Sequence, residues 1–280
     1  MTFAPDGRPQ WLVGAPDGTR SHWTVVTTDG RVSHWTVGDG RARRRAAEGS
    51  LPAETPPVVA TDGSEHRLLD PPADLSRRSS PVVHSGGQDG PPTMLYVARD
   101  GDLVVAGSAR TRLAIDGLPD GRLAALGAGR YAVFGQPTDR YRHGALGDTV
   151  EATTLFVVDA TEPAVRARAS LDSPAVFEGL QPLVADIDGD GEREIVTTVA
   201  DERDGARIAV FTANGERLAT GPIHGPGWCH QLAVAPFGPG GQHELAVVRK
   251  PHVEHVVEFY RVESGALNVV GTAGSFASHT

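Results

Sequence analysis

The stretch QPLVADIDGDGEREIVTTVADERDGARIAVFTANGERLA, residues 181–219, decides the fold. Short runs rich in Val, Leu, Ile and Thr alternate here with turn residues, which is the pattern of β-strands. The runs 208–212 and 216–219 meet across Asn214-Gly215, a dipeptide that favours a tight hairpin. The stretch therefore predicts four short antiparallel strands that follow one another along the chain.

The same unit recurs elsewhere. A second copy has its runs at 231–235, 244–248 and 256–260, and Glu244 stands 50 residues after Glu194. A weaker copy covers 120–175, and Asp29-Gly30 and Asp100-Gly101 mark hairpins in two irregular earlier copies. Repeats of ~40–50 residues with four strands predict an all-β protein of the β-propeller class, with a β-sandwich as the structural alternative.

We therefore expect a single β-propeller domain over 1–280, built of four-stranded antiparallel blades. About five blades are visible, either as a complete ring or as part of a larger one. The best-defined blades are expected at about 120–175, 180–225 and 230–275.

Composition limits the possible partners. The net charge of -9 argues against a duplex nucleic-acid binder, and the single basic run, Arg41–Arg45, is interpreted as a solvated linker. Cys229 is the single cysteine, which excludes an intrachain disulfide framework and predicts a buried, inert thiol. The N-terminus lacks a signal-peptide pattern and no apolar run approaches the ~20 residues of a membrane span, so the chain as written is expected to be cytoplasmic.

One loop carries a recognisable chemistry. Asp186, Asp188 and Asp190 occupy positions 1, 3 and 5 of a tight loop, and intervening glycines allow the carboxylates to converge. Three converging anions repel one another unless a cation lies between them, and Ca²⁺ prefers six to eight oxygen ligands. The carbonyl of Glu192 and the side chain of Glu194 would complete the shell. An acidic surface turn without metal is the alternative.

An EF-hand shares this Asp-x-Asp-x-Asp-Gly start, but it needs Glu at position 12 and a helix on each side. Position 12 is Thr197, inside a β-rich run. The segment VADIDGDGEREIV, residues 184–196, instead resembles the FG-GAP/VCBS repeat of integrin-type β-propellers. The resemblance implies a calcium loop between the first two strands of a blade. Glu194 departs from the usual Asp, and Pro236, Gly238 and Gly240 replace the ligands in the next copy, so one Ca²⁺ is expected.

Other candidate ligand-binding residues are His230, His143, Tyr141 and Arg142. In a propeller the innermost strands line a central channel, where such side chains could hold a sugar or abstract a proton. Surface or hydrogen-bonded loop positions are the alternative. No spacing brings a nucleophile, a base and an orienting acid together, so no catalytic residue is assigned.

The favoured function is thus a calcium-stabilised, non-catalytic binding module for a protein or glycan partner. A carbohydrate-active enzyme, such as a polysaccharide lyase that uses the channel, is one alternative. A structural segment of a larger protein is another. An enzyme would require His, Tyr and Arg side chains to cluster at one channel mouth.

Overall fold

The computed structural model describes residues 5–45, 49–61, 66–84, 92–144 and 147–278. Within these ranges the regular structure consists of strands alone. The chain divides into two compact units, 1–113 and 114–280, which are described separately. No helix in the described ranges is long and apolar enough to cross a membrane.

The first unit contains two four-stranded antiparallel sheets and a two-stranded one. The first sheet has the order β1-β2-β3-β4, with β1 Pro9–Asp17, β2 Arg20–Thr27, β3 Val32–Gly38 and β4 Arg41–Arg44. A hairpin follows, β5 Val58–Thr61 and β6 His66–Leu69. The second four-stranded sheet comprises β7 Val82–His84, β8 Thr93–Val97, β9 Leu103–Ala106 and β10 Arg110–Leu113.

The second unit contains three further four-stranded groups. They are β11 Ala124–Gly127, β12 Arg130–Thr138, β13 Glu151–Asp159 and β14 Ala164–Ser170; then β16 Leu183–Ala185, β17 Glu194–Ala200, β18 Arg207–Phe211 and β19 Arg217–Thr220; then β20 Cys229–Ala235, β21 Glu244–Arg249, β22 Val256–Glu263 and β23 Ala266–Gly274. Within each group, consecutive strands pair antiparallel. The predicted all-β class of four-stranded propeller blades is confirmed.

The most deeply buried strands of this unit are inner strands, second in the last two groups and third in the first group. Strand β17 is buried at every position, and β13 and β21 are nearly so. Such continuous apolar or small-residue runs are expected where both faces of a strand are covered. Phe134 stacks on Phe177, and Phe177 meets Phe211 edge-on, so aromatic packing joins the first two blades of the unit.

The turn chemistry explains the register. Gly215 follows Asn214 and has a φ of +80°, which glycine adopts without steric cost. Gly30 has a φ of +83° in the Asp29-Gly30 turn, and Val26 before the turn pairs with Val32 after it. The predicted hairpins therefore form at the predicted places.

Two features differ from the sequence-based expectations. Arg41–Arg44 is strand β4 and not a linker, because it pairs with β3 from Trp35 to Gly38. A short strand β15, Val176–Phe177, joins the first two blades of the second unit by pairing with both β13 and β17. The division into a single domain over 1–280 stays a prediction.

Candidate functional site

The acidic loop lies between β16 and β17, the first two strands of a blade. The Leu183–Ala185 strand pairs antiparallel with Glu194–Val196, so the chain must reverse across the loop within a short distance. Gly189 and Gly191 make this possible with φ values of +82° and +91°. A side chain at either position would be strained in this left-handed backbone region.

Three carboxylates converge in this loop. Asp186, Asp188 and Glu194 each offer one oxygen, and these oxygens lie within 4.8 Å of one another. Asp188 is exposed, whereas Glu194 is buried at the start of β17. Burial raises the pKa of Glu194, the nearby Asp charges act in the same direction, and the bond from the Ile187 N–H opposes both.

Backbone N–H groups hold the aspartates in place. The amides of Gly189 and Gly191 donate to the two carboxylate oxygens of Asp186 at 2.7 and 3.1 Å. The Asp190 amide donates to Asp188 Oδ1 at 3.2 Å, and the Ile187 amide donates to Glu194 Oε2 at 3.0 Å. The positions of these oxygens are therefore set by the loop backbone itself.

The other two predicted ligands differ in their placement. Asp190 lies outside the group of three, and its Oδ1 accepts a hydrogen bond of 2.8 Å from the Glu192 amide. Glu192 was assigned only through its carbonyl oxygen, and its side chain is not in the group either. The donor set of three converging carboxylates fits Ca²⁺, a hard cation that takes carboxylate oxygens in flexible geometry.

The other predicted ligand-binding residues separate into different surroundings. His143 Nδ1 and Glu178 Oε1 are joined by a hydrogen bond of 2.5 Å, and the Tyr141 ring lies 5.7 Å from the His143 ring. Tyr141 is buried and belongs to an apolar cluster that includes Cys229. Arg142 is exposed and forms an ion pair of 3.3 Å with Asp139.

His230 lies at a cavity. Its ring stacks on Trp228 with a centroid separation of 4.5 Å. The cavity has a volume of 340 Å³ and lies beside the first strands β16 and β20, which contact each other. Its lining comprises Arg122, Gly179, Leu180, Gln181, Pro182, Leu183, Trp228, His230 and Gln231. His230 thus lines a cavity that the predicted partners Tyr141, Arg142 and His143 do not line.

A buried acid pair, Glu178 and Glu151, was not predicted from any local sequence pattern. Glu178 is 0% exposed and Glu151 is 4% exposed. Burial raises the pKa of each carboxyl to about 8, and the charge of Glu178 also raises that of Glu151. Burial lowers the pKa of His143. Glu178 Oε2 has no hydrogen-bond partner among the described residues, so this oxygen is more stable when protonated.

The cysteine behaves as predicted. Cys229 is a free thiol with no exposed surface. Burial raises its pKa to about 12, so the thiolate is essentially unpopulated at neutral pH.

Comparison with known proteins gives matches among solved structures alone. No protein-family model matches the chain, and no curated protein matches it. The chain is similar to the crystal structure of BBS1N in complex with ARL6DN soaked with mercury, with 11% identity and a TM-score of 0.47. It is also similar to the lead-soaked structure of the same complex, with 11% identity and a TM-score of 0.48. Each alignment covers 94% of this chain and 80% of the other.

Proposed function

We propose that this chain is a calcium-stabilised β-propeller of the FG-GAP/VCBS type that acts as a non-catalytic binding module. The observation that carries the proposal is the convergence of Asp186, Asp188 and Glu194 within 4.8 Å in the loop between two blade strands. When bound, Ca²⁺ supplies the positive charge that this convergence lacks. The chain's own part is to fix the carboxylates through the loop amides and to hold Glu194 at the start of a buried strand.

The ion's role is structural. Strand β17 is buried at every position, so the placement of its first residue, Glu194, determines how both faces of the strand pack. Neutralising three nearby carboxylates at that point removes a repulsion that opposes the folded loop. A catalytic role would need an open coordination position next to a substrate cavity, and the cavity beside β16 is lined by none of the three carboxylate residues.

Calorimetric titration of chelator-treated protein with Ca²⁺ tests the metal site. We expect one site per chain, and a melting temperature that rises by about 5–10 °C at a hundredfold excess over Kd, where linkage contributes about 2.7 kcal/mol. Asp188→Asn should abolish both effects. Glu192→Gln removes the same charge from the same loop but keeps the backbone carbonyl, so it should retain both.

Equal losses in the two variants would show a general charge effect and contradict a defined site. An absence of heat and of stabilisation in the wild-type protein would leave 186–194 as an acidic turn. Mg²⁺ serves as the comparison ion because it demands a smaller and more regular shell, and we expect weaker binding.

A groove on the last blade supports a protein partner. It has a volume of 700 Å³ and includes the rings of Phe237 and Phe259, which meet edge-on at 5.4 Å, together with Val270. Phe237 is 47% exposed and Val270 is 41% exposed. Neighbouring exposed apolar side chains of this kind mark interaction surfaces more often than isolated ones do. Glu244 and Arg261, which are joined by an ion pair, supply polar groups in the same groove.

The binding role can be tested by crosslinking and affinity capture. The wild-type chain and the Phe237→Ser variant each serve as bait. Val253→Ser is the matched control, because Val253 is 76% exposed and does not line the groove. A protein retained by the wild type and the control but not by Phe237→Ser supports the proposal. Binding on a glycan array in the presence of Ca²⁺ would assign the module to glycans instead. No ligand in either experiment would contradict a binding role.

A second candidate function rests on the His143–Glu178 pair. The buried carboxyl group of Glu178 is hydrogen-bonded to Nδ1 of the partly exposed His143 and so fixes the orientation of the ring, as the partner of a general base does. A carbohydrate-active enzyme that abstracts a proton next to a uronate carboxylate could use such a base. Ultraviolet detection of the unsaturated product from polyuronates, with His143→Gln as the inactive control, tests this activity.

A further inference from the structure

The arginine run at 41–45 contributes to a cationic cavity on the first sheet. Thr36 on β3 pairs with His22 on β2 and with Arg43 on β4, and Gly38 pairs with Arg41. Residues directly opposite each other in an antiparallel sheet project from the same face, as do residues two apart in one strand. Arg41 and Arg43 therefore share one face of the sheet with Thr36.

Arg20 joins them across a glycine. It begins β2 two residues before His22, which places it on that same face. A Cβ at Gly38 would lie 2.6 Å from Arg20 Cγ, so the aliphatic part of Arg20 occupies the space that Gly38 leaves open. The resulting cavity of 350 Å³ is lined by Arg20, Thr36, Gly38, Asp39, Arg41 and Arg43.

Among the described residues no carboxylate forms an ion pair with Arg20, Arg41 or Arg43. Arg44 is the contrasting case, since it lies on the opposite face, above the Trp35 ring at 5.9 Å, and pairs with Asp6 at 2.5 Å. The sheet thus provides Arg44 with an ion-pair partner, whereas Arg41 and Arg43 line the cavity.

Like charges on neighbouring strand positions are destabilising, so this arrangement costs stability when the cavity holds water alone. The lining contains three guanidinium groups against the single carboxylate of Asp39, in a chain whose net charge is -9. Guanidinium groups match tetrahedral oxyanions because each can donate two parallel hydrogen bonds. Thr36 contributes a hydroxyl to the same lining.

We propose that this cavity is a binding site for a compact phosphate-class oxyanion, held by Arg20, Arg41 and Arg43. Its volume lies at the lower end of the range of small-molecule sites, which suits one phosphate or diphosphate group and not the length of a polymer. The site is separate from the calcium loop, and the proposal does not depend on the proposed function.

Calorimetric titration with pyrophosphate at low ionic strength tests the site. Binding is expected, and Arg20→Gln, Arg41→Gln and Arg43→Gln should each weaken it about tenfold or more, because each loses a charge-assisted hydrogen bond. Arg99→Gln is the matched control: Arg99 is an exposed arginine of the same unit that does not line the cavity, and its affinity should change by less than about twofold. Melting curves check that every variant is folded.

Two further variants make the test directional. Asp39→Asn should tighten binding, because it removes the one negative charge of the lining, and Asn tolerates the φ of +50° at this position. Gly38→Ala should weaken binding, because its methyl group would displace Arg20.

The comparison anions are inorganic phosphate, sulfate and acetate at matched ionic strength. We expect pyrophosphate to bind more tightly than phosphate, phosphate more tightly than sulfate, and acetate least. Sulfate that binds as tightly as phosphate would overturn the assignment to phosphate in favour of sulfate esters. The absence of pyrophosphate binding, or equal losses in the three arginine variants and in Arg99→Gln, would overturn the site itself.

Discussion

Glu178→Gln should change how stability depends on pH, because Glu178 is a buried carboxyl that favours its protonated form. The side chain is 0% exposed, and burial raises its pKa to about 8 from the model-peptide value of 4.5. Above pH 4.5 the unfolded chain releases this proton while the folded chain keeps it. The stability present below pH 4.5 is therefore lost progressively as pH rises toward 8, after which both states are ionised.

The expected magnitude follows from the proton count. One retained proton gives a slope of about 1.4 kcal/mol per pH unit well below the folded pKa. Between pH 6.5 and 8 the loss is about 1.5 kcal/mol for one such carboxyl, since the slope falls as the folded pKa is approached. Burial lowers the pKa of His143, which is bonded to Glu178, below 6.5. The contribution of His143 therefore reduces the stability of the folded protein only as pH falls below this window. Glu151, with a pKa raised to about 8, adds a similar loss.

Urea unfolding at several pH values between 6.5 and 8 measures the effect. The wild type should lose about 1.5 kcal/mol more than Glu178→Gln across the window, since the amide cannot ionise. Glu216→Gln is the control, because Glu216 is exposed and its variant should follow the wild type. Parallel curves for the wild type and Glu178→Gln would mean that Glu178 is ionised throughout, and would refute the assignment of a buried neutral acid.

Two further predictions concern packing and can be measured by chemical denaturation. Gly205→Ala and Gly225→Ala both place a methyl group at positive φ, at +77° and +71°, and each should lose roughly 1–2 kcal/mol from backbone strain. Only at Gly205 would the new Cβ lie 1.9 Å from the backbone of Gly225, so Gly205→Ala should lose roughly 1–3 kcal/mol more. Phe177→Ala should cost roughly 3–5 kcal/mol, because Phe177 is fully buried between Phe134 and Phe211. A loss below about 1 kcal/mol there would contradict the described aromatic packing.

The blades were predictable because their signals are local. Asn214-Gly215 fixes a hairpin by the left-handed preference of its glycine, and the flanking apolar runs need no distant partner to be recognised. The convergence of Asp186, Asp188 and Glu194 has the same origin, since loop and strand start lie within a few residues. Asp190 lies outside this group, and its carboxylate accepts a hydrogen bond from the Glu192 amide.

Strand β4 and the acid pair were not predictable, for different reasons. Arg41–Arg44 is polar on both faces, so no alternation of apolar residues reveals a strand. Glu178 follows the two-residue strand β15, and it becomes a buried acid only because β15 is inserted between β13 and β17. Only the second feature depends on pairing with residues far away in the chain, because β4 pairs with the adjacent strand β3.

Within the described residues, the acidic loop and the buried acid pair differ in how repulsion between their carboxylates can be relieved. At the acidic loop Asp188 is exposed and backbone amides already donate to the aspartates, an arrangement that favours ionised oxygens open to a cation. At Glu151 and Glu178 burial disfavours any charge, and a retained proton relieves the repulsion. Access of water thus decides whether a bound cation or a retained proton relieves the repulsion between the carboxylates. The proposed calcium response therefore belongs to the loop, and the pH response belongs to the buried pair.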